Sequence, residues 1–276
     1  MSSAKWDKRI ERARELAGVH SFAAQGLRFY ERIAGFQQRM YAGFEAGNGR
    51  QPPAKRPRPP GSLREELQLD ILVPWFESFL GLVGEIAPPS LAGSAAELAA
   101  RGSARWQEVL AELWREGVAA MPPEALTAPE ALLSWAFLQP YAEYLADRIE
   151  LPEDTGTPSV CPLCCGRPLV GVLRPQGDGG RRSLICALCA TEWVYRRIVC
   201  PACGEESVGK LPIYVAEELG HVRVEACDTC HCYIKTIDLT KSGRAVPVVD
   251  ELAAIPLSLW AEEHGYTKLS PNLLGI

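Results

Sequence analysis

The sequence predicts an α+β protein: a helical N-terminal domain, two small β modules in tandem that are built on cysteine turns, and a C-terminal helix. Three observations carry this. Apolar residues recur at helical spacing through the first 150 positions. All ten cysteines fall between positions 161 and 232, eight of them as C-x-x-C pairs. Around those pairs the texture changes to short β-type runs separated by glycines.

The elements follow in order. In residues 6–17, Trp6, Ile10 and Ala13 lie at helical spacing, and Gly18 stops the run. Residues 21–44 put Phe22, Phe29, Ile33, Phe36, Met40 and Phe44 on one face, where core packing is their expected role. Residues 47–61, with five prolines and four basic residues, read as an exposed linker loop. Ser62-x-x-Glu65 reads as a capping box that restarts a helix. Residues 69–86 are apolar nearly all round and are expected to form the central helix of a bundle, ended by Pro88-Pro89. Two more helices are expected at about 94–117 and 128–150. The second opens with the capping box Thr127-x-x-Glu130 and should kink at Pro140. These helices hold one histidine, His20, and no catalytic constellation.

A polar linker at 152–158 sets the expected boundary. Beyond it, β runs are expected at 169–173, 193–199, 211–215, 221–226 and 233–239, as small antiparallel sheets. A final amphipathic helix at 250–264, interrupted by Pro256, precedes an irregular tail. The expected units are 1–151 (helical), 159–198 and 199–240 (the two modules), and 241–276.

The pairs are Cys161/Cys164, Cys186/Cys189, Cys200/Cys203 and Cys227/Cys230. A C-x-x-C on a tight turn aims two thiolates at one point, and two such turns complete a tetrahedral S₄ cage. The 21 residues between Cys164 and Cys186, and the 23 between Cys203 and Cys227, leave room for two short strands and a turn. That is the plan of a rubredoxin or zinc ribbon. The stretch also repeats itself, since Cys161-Pro-Leu-Cys164 recurs 39 residues later as Cys200-Pro-Ala-Cys203. The simplest reading is a duplicated module, each copy closing its own site. A cross-braced arrangement that pairs the first and third turns uses the same eight ligands.

Other chemistries fit less well. Thioredoxin-type exchange needs a C-x-x-C at a helix start beside a βαβ unit, and none is expected here. Cys227-Asp-Thr-Cys230-His231 matches a c-type haem signature, but both cysteines already have partners in the repeat. Cys165, Cys232 and His231 adjoin the turns as spare thiols or supporting groups. Between Cys161 and Cys232 eight basic residues balance eight acidic ones, and the whole chain carries −5, so nucleic acid is not an expected partner. No apolar run is long enough to span a membrane, and no signal core opens the chain, so membrane insertion and export are not expected and a cytoplasmic location is. Two closed S₄ cages leave no open metal position, which argues against a hydrolytic enzyme. Spacing alone does not separate zinc from iron; for such ribbons a structural zinc is the ordinary expectation.

The residues carry a family resemblance. Cys161-Pro-Leu-Cys164 with Pro168, Cys186-Ala-Leu-Cys189-Ala-Thr191-Glu192-Trp193, Cys200-Pro-Ala-Cys203-Gly204 and Glu225-Ala-Cys227-Asp-Thr-Cys230-x-x-Tyr233-Ile-Lys235 resemble the formate dehydrogenase accessory protein family. So do Leu138-Gln139-Pro140, Asp250-Glu251-Leu-Ala-Ala-Ile-Pro-Leu and Ser270-Pro-Asn272-Leu-Leu. The resemblance is dense from Leu138 onward and thin before it. It implies a cytoplasmic, non-enzymatic maturation factor that binds the catalytic subunit of a respiratory formate dehydrogenase before export, and leaves self-association open. It also implies rubredoxin-like iron sites, two mononuclear Cys₄ centres, which moves the expected metal from zinc to iron with zinc as the alternative. Cys165 departs from the family pattern, which has glycine there, so strain or a spare ligand is expected at the first turn.

Overall fold

The computed structural model describes residues 3–47, 56–57, 61–116, 123–151, 156–177 and 179–275. Helices α1 (Ser3–Val19) and α2 (Ala24–Gly47) form a hairpin across the short turn after Val19. The periodic aromatics of α2 do face the core: Ile33, Phe36, Met40 and Phe44 are buried, whereas Phe22 lies before the helix and is exposed. Most of the expected loop at 47–61 lies outside the described residues. Within it, strand β1 (Arg56–Pro57) pairs in parallel with β2 (Ile149–Glu150).

Three expectations for the helical half need correction. Ser62 does not cap a helix. Residues Ser62–Glu65 form a single 3₁₀ turn preceded by Gly61 at φ +80°, and the Ser62 hydroxyl is buried without a partner. The helix itself, α3 (Leu69–Ile86), is not central. Leu72, Phe76, Phe79, Leu80 and Val83 face inward, while Glu77, Ser78, Gly81 and Glu85 face solvent. The expected helix at 94–117 is two: α4 (Pro89–Ala100), begun by the same Pro89 that stops α3, and α5 (Gly102–Glu116). Gly102 at φ +76° breaks them, a conformation that costs other residues a steric clash.

The central helix is α6 (Ala128–Ala146), which is buried along nearly its whole length. Thr127 and Glu130 make the expected capping box, with Thr127 N–H donating to Glu130 Oε2 at 3.0 Å. The helix runs through Pro140, which removes the bond to the carbonyl of Ala136. That carbonyl accepts instead from Gln37 Nε2 on α2 at 2.7 Å.

The strands of the second half are β3 (Pro168–Gln176), β4 (Gly179–Cys186), β5 (Glu192–Val194), β6 (Ile213–Val215), β7 (Val222–Ala226) and β8 (Cys232–Asp238). Strand β4 had no counterpart in the sequence reading, and β5 is shorter than the expected 193–199. Each module is a three-stranded antiparallel unit, β3-β4-β5 and β6-β7-β8. They do not stay separate. Strands β3 and β8 pair in parallel, Val170 opposite Lys235 through Leu173 opposite Asp238, and fuse both units into one sheet ordered β5-β4-β3-β8-β7-β6.

The expected C-terminal helix is likewise two, α7 (Pro247–Ala253) and α8 (Ile255–Glu263), split at Ala254 with Pro256 opening α8. Strand β9 (Thr267–Lys268) then pairs with the start of β8. Val249, Leu252 and Ala253 of α7 pack against Ala13, Leu16 and Leu27 of the α1–α2 hairpin, so the end of the chain returns to its beginning. Apolar packing runs unbroken from α6 into the first module. Among the described residues, no helix is long and apolar enough to cross a membrane.

Candidate metal centres

All four C-x-x-C turns share one backbone design. The N–H of the residue after each second cysteine bonds back to the first cysteine's carbonyl in three of them: Cys165 to Cys161 (2.9 Å), Gly204 to Cys200 (3.0 Å) and His231 to Cys227 (2.8 Å). The first cysteine's own N–H bonds five residues on in every case: Cys161 to Gly166, Cys186 to Thr191, Cys200 to Glu205 and Cys227 to Cys232. To close the turn, the residue after the second cysteine enters the left-handed region: Cys165 at φ +57°, Ala190 at +51°, Gly204 at +80° and His231 at +55°. Only Gly204 does so without a steric penalty, which is about 1–2 kcal/mol for an L-residue. Cys165 is therefore one of three non-glycine residues accepting this strain. Its thiol is exposed and stands outside the four-sulfur group.

The turns pair in tandem. The sulfurs of Cys161, Cys164, Cys186 and Cys189 converge, as do those of Cys200, Cys203, Cys227 and Cys230. In the first group Cys161–Cys189 are 3.6 Å apart and Cys164–Cys186 are 3.3 Å; in the second, Cys200–Cys230 and Cys203–Cys227 are each 3.7 Å. A tetrahedral ion with metal–sulfur bonds of about 2.3 Å needs sulfurs about 3.8 Å apart. The donor set and its size therefore fit a single tetrahedral ion in each group. Main-chain N–H groups already point at the sulfurs, from Gly166 to Cys164 at 3.4 Å, Leu188 to Cys186 at 3.4 Å and Ala202 to Cys200 at 3.3 Å. Burial followed by the neighbouring thiols pushes the Cys186 thiol up, and burial pushes Cys200 up to about 11. Sulfurs this crowded carry negative charge together only beside a cation.

The two groups differ in their surroundings. All four sulfur-bearing residues of the first are buried, whereas Cys203 is exposed and Cys230 half-buried in the second. The helical half holds the first group directly. Trp135 Nε1 and Gln139 Nε2 of α6 both donate to the carbonyl of Ala187, at 3.2 and 3.0 Å, inside the Cys186–Cys189 turn. Gln37 donates to Gln139 Oε1 at 3.2 Å, so α2, α6 and the turn form one chain of bonds. On the other turn, Arg64 Nε donates to the Cys164 carbonyl at 2.8 Å and Leu63 N–H to that of Leu163 at 3.3 Å. Ser62–Glu65 is thus a strap over the first cysteines, which is why it does not continue as a helix.

Lys235, Asp250, Glu251 and Asn272 belong to the segments that carry the family resemblance, which implies no role for them. They are buried, and they tie the sheet to the C-terminal helices. Lys235 Nζ lies 2.8 Å from Glu251 Oε1 and donates to the Glu251 carbonyl at 2.7 Å. Lys268 and Asn272 meet the same carboxylate. Burial alone would raise Glu251, but the two ammonium groups hold it below the usual carboxylate range. Burial in turn pushes Lys268 down to about 8. Asp250 is clamped by Arg12 of α1 at 2.5 Å and by His221 at 2.8 Å. Such long-range pairs have no local sequence signature.

Known proteins resemble this chain. Residues 160–197 match the family model for the FdhE central domain, and residues 198–274 that for the FdhE C-terminal domain. An FdhE homologue of Pseudomonas aeruginosa is 30% identical over 92% of this chain and 89% of its own. One from Aquifex aeolicus is 35% identical over about half of each chain, 51% and 50%. The crystal structure of the FdhE protein from Pseudomonas aeruginosa superposes with a TM-score of 0.71 at 27% identity, covering 99% of this chain and 96% of that one.

Proposed function

The chain belongs to the FdhE family, and on that premise we propose that it is a non-enzymatic accessory protein for the maturation of formate dehydrogenase. In this reading it holds the catalytic subunit in the cytoplasm before export. Cys161, Cys164, Cys186 and Cys189 hold one ion and Cys200, Cys203, Cys227 and Cys230 the other, with iron as the proposed metal and zinc the alternative that the same donors accept. A bound ion supplies charge neutralisation and a cross-link between turns distant in sequence.

The observation that carries the reading is the pair of closed four-sulfur groups in a chain of this family. Four sulfurs saturate a tetrahedral ion, so neither centre keeps a position for a substrate, as a hydrolytic metal site must. The first group is braced by Trp135, Gln139 and Arg64, which suits a centre that holds a scaffold together.

Anaerobic affinity capture with tagged protein tests the role. Recovery of a formate dehydrogenase catalytic subunit, lost in Cys→Ser variants, supports it. Recovery of only other proteins, from cells that make the dehydrogenase, refutes it. A visible spectrum with metal analysis tests the ion, because ferric S₄ absorbs strongly and zinc does not.

A further inference from the structure

The second module ends in an open strand. Strand β6 is the outermost of the sheet, paired only with β7. Ala226 N–H bonds to Pro212 O, and Tyr214 stands opposite Val224. By the alternation of an antiparallel ladder, the main-chain N–H and C=O of Ile213 and Val215 point away from β7. No backbone partner meets them among the described residues.

Beside this edge lies an apolar cleft of about 170 Å³, with Ile198, Val208, Leu211, Ile213 and Leu269 in its walls and Cys200 and Cys227 at one side. Of the nine exposed large apolar side chains among the described residues, four gather here: Ile198, Val208, Ile213 and Val215. A cluster of that kind on an unpaired strand invites aggregation unless something covers it.

Charge says what. Arg182 lines the cleft and is 2% exposed. Its terminal nitrogens reach Arg196 O, Val199 O and Glu225, but its Nε–H has no partner. Arg197, exposed at the rim, makes no ion pair among the described residues. Glu225 is the one carboxylate in the cleft lining, and Arg182 and Arg223 both hold it. The cleft lining is therefore apolar, and Arg197 at its rim is the one lining cation that meets no carboxylate among the described residues.

We propose that this edge and cleft bind an extended apolar polypeptide segment that carries a carboxylate. The segment adds a strand to β6, sinks an apolar side chain beside Ile198 and Val208, and sets its carboxylate against the exposed Arg197. Strand addition supplies main-chain bonds and the cleft supplies selectivity for the side chain it receives. The assignment deepens the client-holding reading and rests on it only for the partner being a polypeptide.

The test selects a displayed library of random nine-residue peptides on the full-length, metal-loaded chain. The expected winners alternate apolar residues and carry Asp, Glu or a free C-terminal carboxylate. Their affinity should fall at least tenfold in Val215→Pro, which deletes one outward N–H, and in Arg197→Glu, while Val194→Pro on the opposite edge strand leaves it unchanged. Metal content and circular dichroism confirm that each variant is folded. No enrichment, winners without that pattern, or binding indifferent to both variants overturns the proposal. Should the catalytic subunit still be captured in that case, the maturation role stands and only this surface is wrong.

Discussion

The parallel pairing of β3 with β8 has one point where a single methyl group should be felt. Gly171 lies opposite Thr236, and a Cβ on residue 171 would fall 2.2 Å from Thr236 Oγ1, 3.2 Å from its Cβ and 3.3 Å from its Cγ2. Ordinary non-bonded contact is about 3.5 Å, so either the strands part by roughly 1 Å or Thr236 leaves its rotamer. Thr236 is fully buried, and little room exists for it to turn. Overpacking of this kind costs about 1–3 kcal/mol. Gly171→Ala should therefore lower the unfolding free energy by that amount, measured by urea titration of metal-loaded protein at fixed metal concentration. Thr236→Ala removes Oγ1 and Cγ2, including the closest of the three atoms, and leaves only the Cβ contact at 3.2 Å, so the double variant should recover most of the loss, with a coupling energy of about 1 kcal/mol or more. A Gly171→Ala protein within about 0.5 kcal/mol of the parent, or strictly additive losses in the double variant, would show that the strands are not in this close register.

Three further outcomes follow from the structure. A chelator should strip the metal in two phases, the faster one absent in Cys203→Ser, because Cys203 is exposed while the first group is buried; a single phase counts against unequal centres. Gln37→Leu leaves the Ala136 carbonyl without its donor next to Pro140, which should cost about 1–3 kcal/mol in the same titration. Acid should destabilise the fold through Asp250: burial raises it, but His221 and Arg12 outweigh burial and hold its folded-state value below the unfolded one. The unfolded state then binds more protons, so this contribution is complete above about pH 4 and lost as pH falls through the lower folded value. Asp250→Asn should flatten the fall in stability below about pH 4, and an unchanged slope would refute the assignment.

What could be read from the residues was what local geometry dictates. A C-x-x-C turn is closed by its own five or six residues, so the four turns were legible without any tertiary information. The capping box at Thr127 and the span of α3 were legible for the same reason. Long-range competition decided the rest. Ser62-x-x-Glu65 carries the letters of a cap, yet Arg64 is drawn to the Cys164 carbonyl and the turn becomes a strap. The composition of α3 suggested a central helix, but α6 takes that place because its other side meets the Cys186–Cys189 turn. Strand β4 opens with Gly-Gly-Arg-Arg, which breaks the apolar alternation expected of a strand, although Arg182 is among the most buried side chains in the protein. Gly102 sits inside apolar spacing that continues on both sides, so the break between α4 and α5 shows only in its backbone, at φ +76°.

The parallel junction also bears on how the chain is assembled as it is made. Strand β8 belongs to the second repeat, so when β3 emerges from the ribosome its partner has not been translated. All four sulfurs of the first group lie upstream of β8 and can close around an ion beforehand. At that stage β3 still has a bare edge, which only the far end of the second repeat can cover. Joining it is the longest-range step in the sheet, the kind that contact order makes slow and that leaves a nascent chain open to mispairing. The chain thus passes through an interval in which one of its own strands stands unpaired.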